Sequence, residues 1–348
     1  MSRGLSTLSR ALDNEAGRHV EGVGKHMSEE AIGGYLQLEL PRAGAEYHRD
    51  ALRFQSSRAA FLALLGAGQP SAVWMPWYIC GSMLEPLVMA GIPIKRYEVD
   101  ERLRVKSAEL ADGEWLLYVN YFGLCDNNVD DILDRFPRER VVIDNAQAFF
   151  AQPRECLATL YSPRKFVGVP DGGYLVTNKA ISAPETVDSG SLDRCAHLLK
   201  RIAEDAESGY TDYAAAEESL KLQEPKRMSA LTRRLLAGID YDDVRARRVE
   251  NFAFLHEKLQ RHNRFSFKAN PDAVPLCYPY LGAPAGMREE LRAQRIYTPS
   301  YWPEVATTES MPDFERKVPG STVFLPCDQR LSRAQLNMMV RSLLDRLA

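Results

Sequence analysis

From about residue 53 to residue 178 the chain alternates between short β-rich apolar runs and stretches with helical spacing. Residues 72–75, 93–97, 115–119, 141–144, 159–161 and 174–177 read as strands, and 59–65, 82–90 and 129–135 as helices. Strands alternating with helices predict βαβ units and a mostly parallel sheet. After residue 178 the pattern shifts. Residues 192–206 and 214–222 are helical and charged, and 229–236 reads as another short helix. A long helix is predicted over 241–261, with Val249, Phe252, Leu255 and Leu259 recurring every three or four positions. Strands are predicted near 265–268 and 273–280, a helix over 287–294 and a strand at 322–325. The last helix opens on the capping box Ser332-x-x-Gln335 and continues through Leu336, Met339, Leu343 and Leu347. The organisation read from this is a polar segment (1–31), a large α/β domain (32–240) and a smaller C-terminal α+β lobe (241–348).

Composition narrows the function classes. Among 348 residues, 44 Lys+Arg face 47 Asp+Glu, a formal net charge of −3, without the basic excess of a dedicated nucleic-acid binder. The six cysteines (80, 125, 156, 195, 277, 327) form no C-x-x-C pair, and the six histidines form no metal-binding motif. No apolar run is long enough to span a bilayer. The expectation is a cytoplasmic protein without metal, membrane or nucleic-acid partners. Three further features carry little weight. Gly22-Val23-Gly24-Lys25-His26 lacks phosphate-loop spacing, Cys80 reads as a packed thiol, and Arg245, Arg247 and Arg248 read as a solvated helix face.

Two segments carry chemistry. In Val141-Val142-Ile143-Asp144-Asn145-Ala146-Gln147-Ala148, three β-branched residues end in Asp144, at the mouth of a parallel strand where open α/β sheets bind ligands. The alternative is an Asp that merely caps the next helix. In Ser162-Pro163-Arg164-Lys165-Phe166-Val167-Gly168-Val169-Pro170-Asp171-Gly172-Gly173, one lysine sits in a tight turn among Phe166, Val167 and Val169. Desolvation there would lower its pKa, as an attacking amine needs; the alternative is a turn lysine on an exposed hairpin.

An Asp at a strand end and a Lys on a nearby turn are what pyridoxal 5'-phosphate (PLP) chemistry requires. The carboxylate keeps the ring nitrogen protonated, and the amine forms the internal Schiff base. Gln55-Ser56-Ser57-Arg58-Ala59-Ala60 opens a helix and supplies a phosphate cradle.

Together these segments resemble the DegT/StrS-type sugar-nucleotide aminotransferases, of the fold type I PLP superfamily. The family's S-G-T-A-A-L turn is similar to Ser56-Ser57-Arg58-Ala59-Ala60-Phe61, and its P-x-x-T-[FW] loop to 75–80. Its Y-G turn resembles Asn120-Tyr121-Phe122-Gly123, and its D-A-A-Q-A motif Asp144-Asn145-Ala146-Gln147-Ala148. The S-K-N-L-G stretch with its acidic-Gly-Gly tail resembles 164–168 and Asp171-Gly172-Gly173. Looser matches follow at Arg227-Met228-Ser229-Ala230-Leu231, at 291–300 and at 323–326, so the likeness covers roughly residues 33–347.

The resemblance implies a large domain with a mostly parallel sheet flanked by helices, plus a smaller lobe. It implies Lys165 as Schiff base and proton shuttle, Asp144 on the ring nitrogen, and Gln147 near the phenolic oxygen. Ser57 and Arg58 would hold the phosphate, with Ser162 and Tyr78 also at the cofactor. It further implies glutamate as amino donor, a keto sugar nucleotide as acceptor, and a homodimer that crosses over near 220–227, where Gln223 or Lys226 reaches a phosphate across the interface. Four positions depart from the pattern. Arg58 stands for a Thr, Leu160 for a Ser, Cys80 for an aromatic shelf that Trp77 or Tyr78 would have to replace, and Pro225 for a partner-directed Asn. The alternatives are a PLP enzyme with another acceptor or reaction, and a binding protein without turnover.

Overall fold

The computed structural model describes residues 34–41, 44–267, 270, 272–308 and 310–347. The chain divides into two units, Met1–Glu39 and Leu40–Ala348. Residues 34–39 are a bend followed by irregular chain, and the regular elements of the described residues lie in the second unit. The Gly22–His26 run falls outside the described residues.

Among the described residues, seven strands form the main sheet: β1 (Leu52–Phe54), β2 (Ala72–Pro76), β3 (Ile94–Tyr97), β4 (Glu114–Val119), β5 (Val141–Asn145), β6 (Ala158–Tyr161) and β7 (Gly173–Thr177). Their order is β1-β7-β6-β5-β4-β2-β3. The strands from β3 through β6 are parallel, while β7 runs antiparallel to both β6 and β1. Every residue of β4, β5 and β6 is buried. Strands covered on both faces have to be nearly continuous apolar runs, which is why these three are plain in the sequence. The three-residue β1 is too short to show a period.

Helices α1 (Ser57–Gly68), α2 (Glu85–Met89) and α3 (Asp126–Arg135) alternate with these strands, and α4 (Ala196–Ala203), α5 (Tyr210–Glu218) and α6 (Ala230–Leu236) follow them. In α1 the residues Ala59, Ala60, Phe61, Leu64 and Leu65 are buried, and Ser56 caps the start by accepting the Ala59 N–H. A second, antiparallel pair is made by β8 (Cys277–Leu281) and β9 (Thr322–Pro326). It is accompanied by α7 (Tyr241–Leu259), α8 (Met287–Ala293), α9 (Asp313–Ser321) and α10 (Arg333–Leu344), the last with its capping box formed. Leu255, Tyr278, Tyr280, Leu291, Leu325 and Leu336 belong to a separate core there.

Several boundaries differ from the expected ones. Residues 265–267 form no strand, because the Asn263 side chain takes the Phe265 N–H at 3.0 Å; Lys268 lies outside the described residues. The ladder expected from 273 begins at Cys277, since the Leu276 N–H goes to Phe122 O at 2.8 Å. The helix expected over 192–206 breaks into a 3-10 turn, Asp193–Cys195, and α4. In α7 the buried face is Val244, Arg248, Asn251, Leu255 and Leu259, whereas Val249 is exposed. Arg248 is thus buried, not part of a solvated face.

Candidate active site

The carboxyl ends of β2, β4, β5 and β6 open on one cavity of about 320 Å³. Ile79 and Cys80 follow β2, Val119 ends β4, Asp144 lies near the end of β5 with Ala146 and Gln147 just beyond, and Ser162 follows β6; all of them line it. Ligands bind at this edge of an open parallel sheet.

Asp144 is 3% exposed. Its Oδ1 accepts the Ala146 N–H at 2.9 Å, a local turn bond and not a helix cap. Burial raises its pKa, against which the Lys165 charge and the Ala146 N–H act in the opposite direction. Gln147 is buried too, and its Oε1 accepts the Phe122 N–H at 2.9 Å. That bond fixes the amide and leaves Nε2 as a buried donor with no partner among the described residues.

Lys165 ends a 3-10 turn, Pro163–Lys165, and lines the same cavity. Phe166, Val167 and Val169 are buried, yet Lys165 is exposed. The expected burial of this amine is not found: its apolar neighbours turn into the core and leave the lysine on the cavity side.

The start of α1 closes another wall through Ser56, Ser57 and Arg58. Gly172 and Gly173 make this possible. A Cβ at Gly173 would stand 2.1 Å from Ser56 C and 2.3 Å from Ser57 N. Gly172, at φ +123°, donates its N–H to Gln55 O at 2.7 Å. The glycine pair after the lysine turn therefore lets that backbone touch the helix start.

Tyr78 is not brought to the cavity. It is fully buried, stacked on Tyr121 and edge-on to Trp302. Of Trp77, Tyr78 and Cys80, only Cys80 lines the cavity, and its aromatic wall is built instead from Tyr213, Tyr301 and Trp302. The segment 223–227 docks on its own chain. Gln55 Nε2 donates to Glu224 O, the Gln55 N–H donates to Lys226 O, and Gln55 Oε1 accepts the Lys226 N–H. Lys226 Nζ in turn donates to Gln223 at 3.2 Å.

Besides Tyr301 and Trp302, four lining residues of α4, α5 and the lysine turn were missed in the sequence. Arg164 pairs with Glu217 at the cavity wall, with His197 and Tyr213 also lining it. Burial, then the Arg164 charge, lowers the His197 pKa. Arg164, next to Lys165 in sequence, was open to inference; the others come from α4 and α5 and carry no local signal. Among the described residues no cluster of His, Cys, Asp or Glu is suited to a metal ion, and no helix is long and apolar enough to cross a membrane.

The sequence matches no protein-family model and no curated protein. Solved structures do resemble it. An aminotransferase of the DegT DnrJ EryC1 StrS group from Brucella abortus superposes with a TM-score of 0.57 at 14% identity, over 85% of each chain. The sugar aminotransferase CalS13 from Micromonospora echinospora gives 0.58 at 18% identity, over 84% of this chain and 86% of that one. The E coli GDP-4-keto-6-deoxy-D-mannose-3-dehydratase, solved with hydrated PLP, gives 0.58 at 16% identity, over 84% and 87%. At these identities the likeness is one of fold: the chain folds as the DegT/StrS-type sugar aminotransferases do.

Proposed function

We propose that the protein is a PLP-dependent aminotransferase that moves an amino group from glutamate to a keto sugar nucleotide. The observation that carries this reading is one cavity lined at once by Lys165, Asp144, Gln147 and the N-terminus of α1. The residues fit the cofactor. The unpartnered Gln147 Nε2 suits a phenolic oxygen, and the helix start with Ser57 and Arg58 suits a phosphate. Bound there, PLP would supply an electron sink for the pair left when a substrate carbon loses its proton.

The chain's own groups divide the remaining work. Asp144 is costly to ionise in its buried site, so a cation at the ring nitrogen would hold it charged. Lys165 Nζ, exposed to the cavity, would anchor the cofactor and carry the proton. Ser162, 7% exposed and just past β6, would offer its hydroxyl to the cofactor. Tyr213, Tyr301 and Trp302 would screen the reacting atoms from water. Tyr78 is left out of this assignment.

We further propose a homodimer, in a reducing cytoplasm. Leu192 at 73% and Ile202 at 83% exposure, with Leu199 and Tyr210, give the 192–210 region an apolar surface that a second copy would cover. All six cysteines are free, in keeping with that compartment.

One observation favours a second reading, a binding protein without PLP: Arg58 already has a counter-ion in Glu85. Adding glutamate to PLP-loaded protein separates the two. The cofactor absorbance should change on adding glutamate and return on adding a keto sugar nucleotide. No change with glutamate would overturn the donor, and no uptake of PLP would favour the second reading.

A further inference from the structure

Arg248 is a charged residue on the buried face of α7, 2% exposed, and its hydrogen-bond partners among the described residues are all carbonyl oxygens. Nη2 donates to Phe166 O at 3.2 Å, Nη1 to Pro275 O and Leu276 O at 3.2 Å each, and Nε to Gln329 Oε1 at 3.0 Å. The guanidinium also lies over the Phe166 ring, 4.6 Å from its centre. Gln329 Nε2 gives Phe166 O a second bond at 3.0 Å. A buried cation persists only where such partners replace its water, and these come from three separate stretches of chain.

One of those stretches follows Lys165 directly, and another leads back to Gln147, a second lining residue of the cavity. Leu276 O accepts from Arg248, and the Leu276 N–H goes to Phe122 O at 2.8 Å. The Phe122 N–H goes to Gln147 Oε1 at 2.9 Å. Phe122 is fully buried at φ +58°, a conformation that a bulky residue keeps only when its surroundings fix it. A single run of hydrogen bonds thus joins Phe166, beside the candidate amine, to Gln147, the candidate partner of the phenolic oxygen.

We infer that Arg248 is a positioning residue, which sets the Lys165 turn in register with Gln147 by clamping the Phe166 carbonyl to α7 and to the 275–276 and 329 segments. The inference rests on the proposed role of Lys165 only for its consequence in chemistry. A planar fork donating from all three nitrogens is what the clamp uses, and a lysine cannot reproduce it.

The test uses Arg248→Lys and Arg248→Met in the full chain, each read two ways. Hydrogen exchange on cofactor-free protein follows the Phe166 and Val167 N–H groups, both bonded to Pro163 O, against those of α10. Borohydride trapping of PLP on Lys165 follows the amine itself. We expect exchange in the turn to rise at least tenfold with α10 unchanged, and trapping to slow in parallel. Equal acceleration in both segments would mean that Arg248 supports the fold as a whole, and no change in the turn would mean that it holds nothing there; either result overturns the inference. Gln329→Ala removes one of the two donors to Phe166 O and should give a smaller rise in the same segment, which keeps the test decisive if the Arg248 variants do not fold. Wild-type protein that traps no PLP would overturn the cofactor reading alone, since the exchange measurement needs no cofactor.

Discussion

Arg58 Nη1 donates to Glu85 Oε2 at 3.2 Å, and the same oxygen accepts the Leu222 N–H at 3.3 Å. On the proposed function, the cation at the start of α1 would therefore be shared between this internal carboxylate and an anion entering the cavity. Arg58→Ala should weaken PLP retention roughly tenfold or more, the scale of a hydrogen bond to a charged group, about 1.5–3 kcal/mol. Glu85→Gln should tighten it severalfold, because the guanidinium then faces the ligand without competition. Fluorescence titration with PLP measures both. Unchanged affinity in the two variants would mean that Arg58 serves Glu85 alone.

Gly173 allows no side chain. With Ser56 C only 2.1 Å from an added Cβ, Gly173→Ala must push β7 from the helix start. A loss of about 1–3 kcal/mol is expected, as for overpacking in a dense core. It should come with weaker PLP binding. Gly168→Ala is the control, since its nearest neighbour is the flexible Leu198 side chain at 3.4 Å. Thermal melting of the two variants, with and without PLP, checks the contrast, and equal melting points would refute it.

His48 gives the fold an acid-sensitive component. Its Nε2 is bonded to Phe149 O at 2.7 Å, and burial brings its pKa from 6.5 down to about 4. Between those values the unfolded chain binds a proton that the folded chain refuses. The contribution is complete above pH 6.5 and is lost as pH falls toward 4, in total on the order of 3 kcal/mol. His48→Gln should therefore melt with a smaller drop between about pH 7.5 and pH 5 than the wild type. An equal drop in both would remove His48 from the acid response.

The exposed apolar residues of 192–210 predict the assembly. Sedimentation should give about twice the 39.2 kDa chain mass. Replacing Leu199 and Ile202 together by Asp should return the chain mass and weaken PLP retention, if the interface supports the site. A wild-type protein that sediments as one chain would refute the dimer.

How far the sequence revealed this site depended on the kind of order each residue has. Asp144 and Gln147 were legible because β5 opens with the apolar run Val141, Val142 and Ile143 and ends at the cavity edge of the sheet. Gly172 and Gly173 were legible as glycines, but their use, contact with Ser56 and Ser57, needed the fold. Tyr78 was misplaced because the exit from β2 turns residue 78 into the core and brings Cys80 to the cavity, a bend that no local pattern announces. Arg248 sits at the right spacing for the core face of α7, yet its charge argues for solvent. Its carbonyl partners, from Phe166 to Gln329, are far away in sequence and leave no mark near residue 248.

That Lys165 carries the cofactor in a cavity shared with Asp144 is tested most directly by loading the protein with PLP, reducing with borohydride and mapping the adduct by peptide mass spectrometry. The expected result is one reduced cofactor per chain, on Lys165, absent from a folded Lys165→Ala variant. An adduct on a different lysine, or none at saturating PLP, would contradict the assignment.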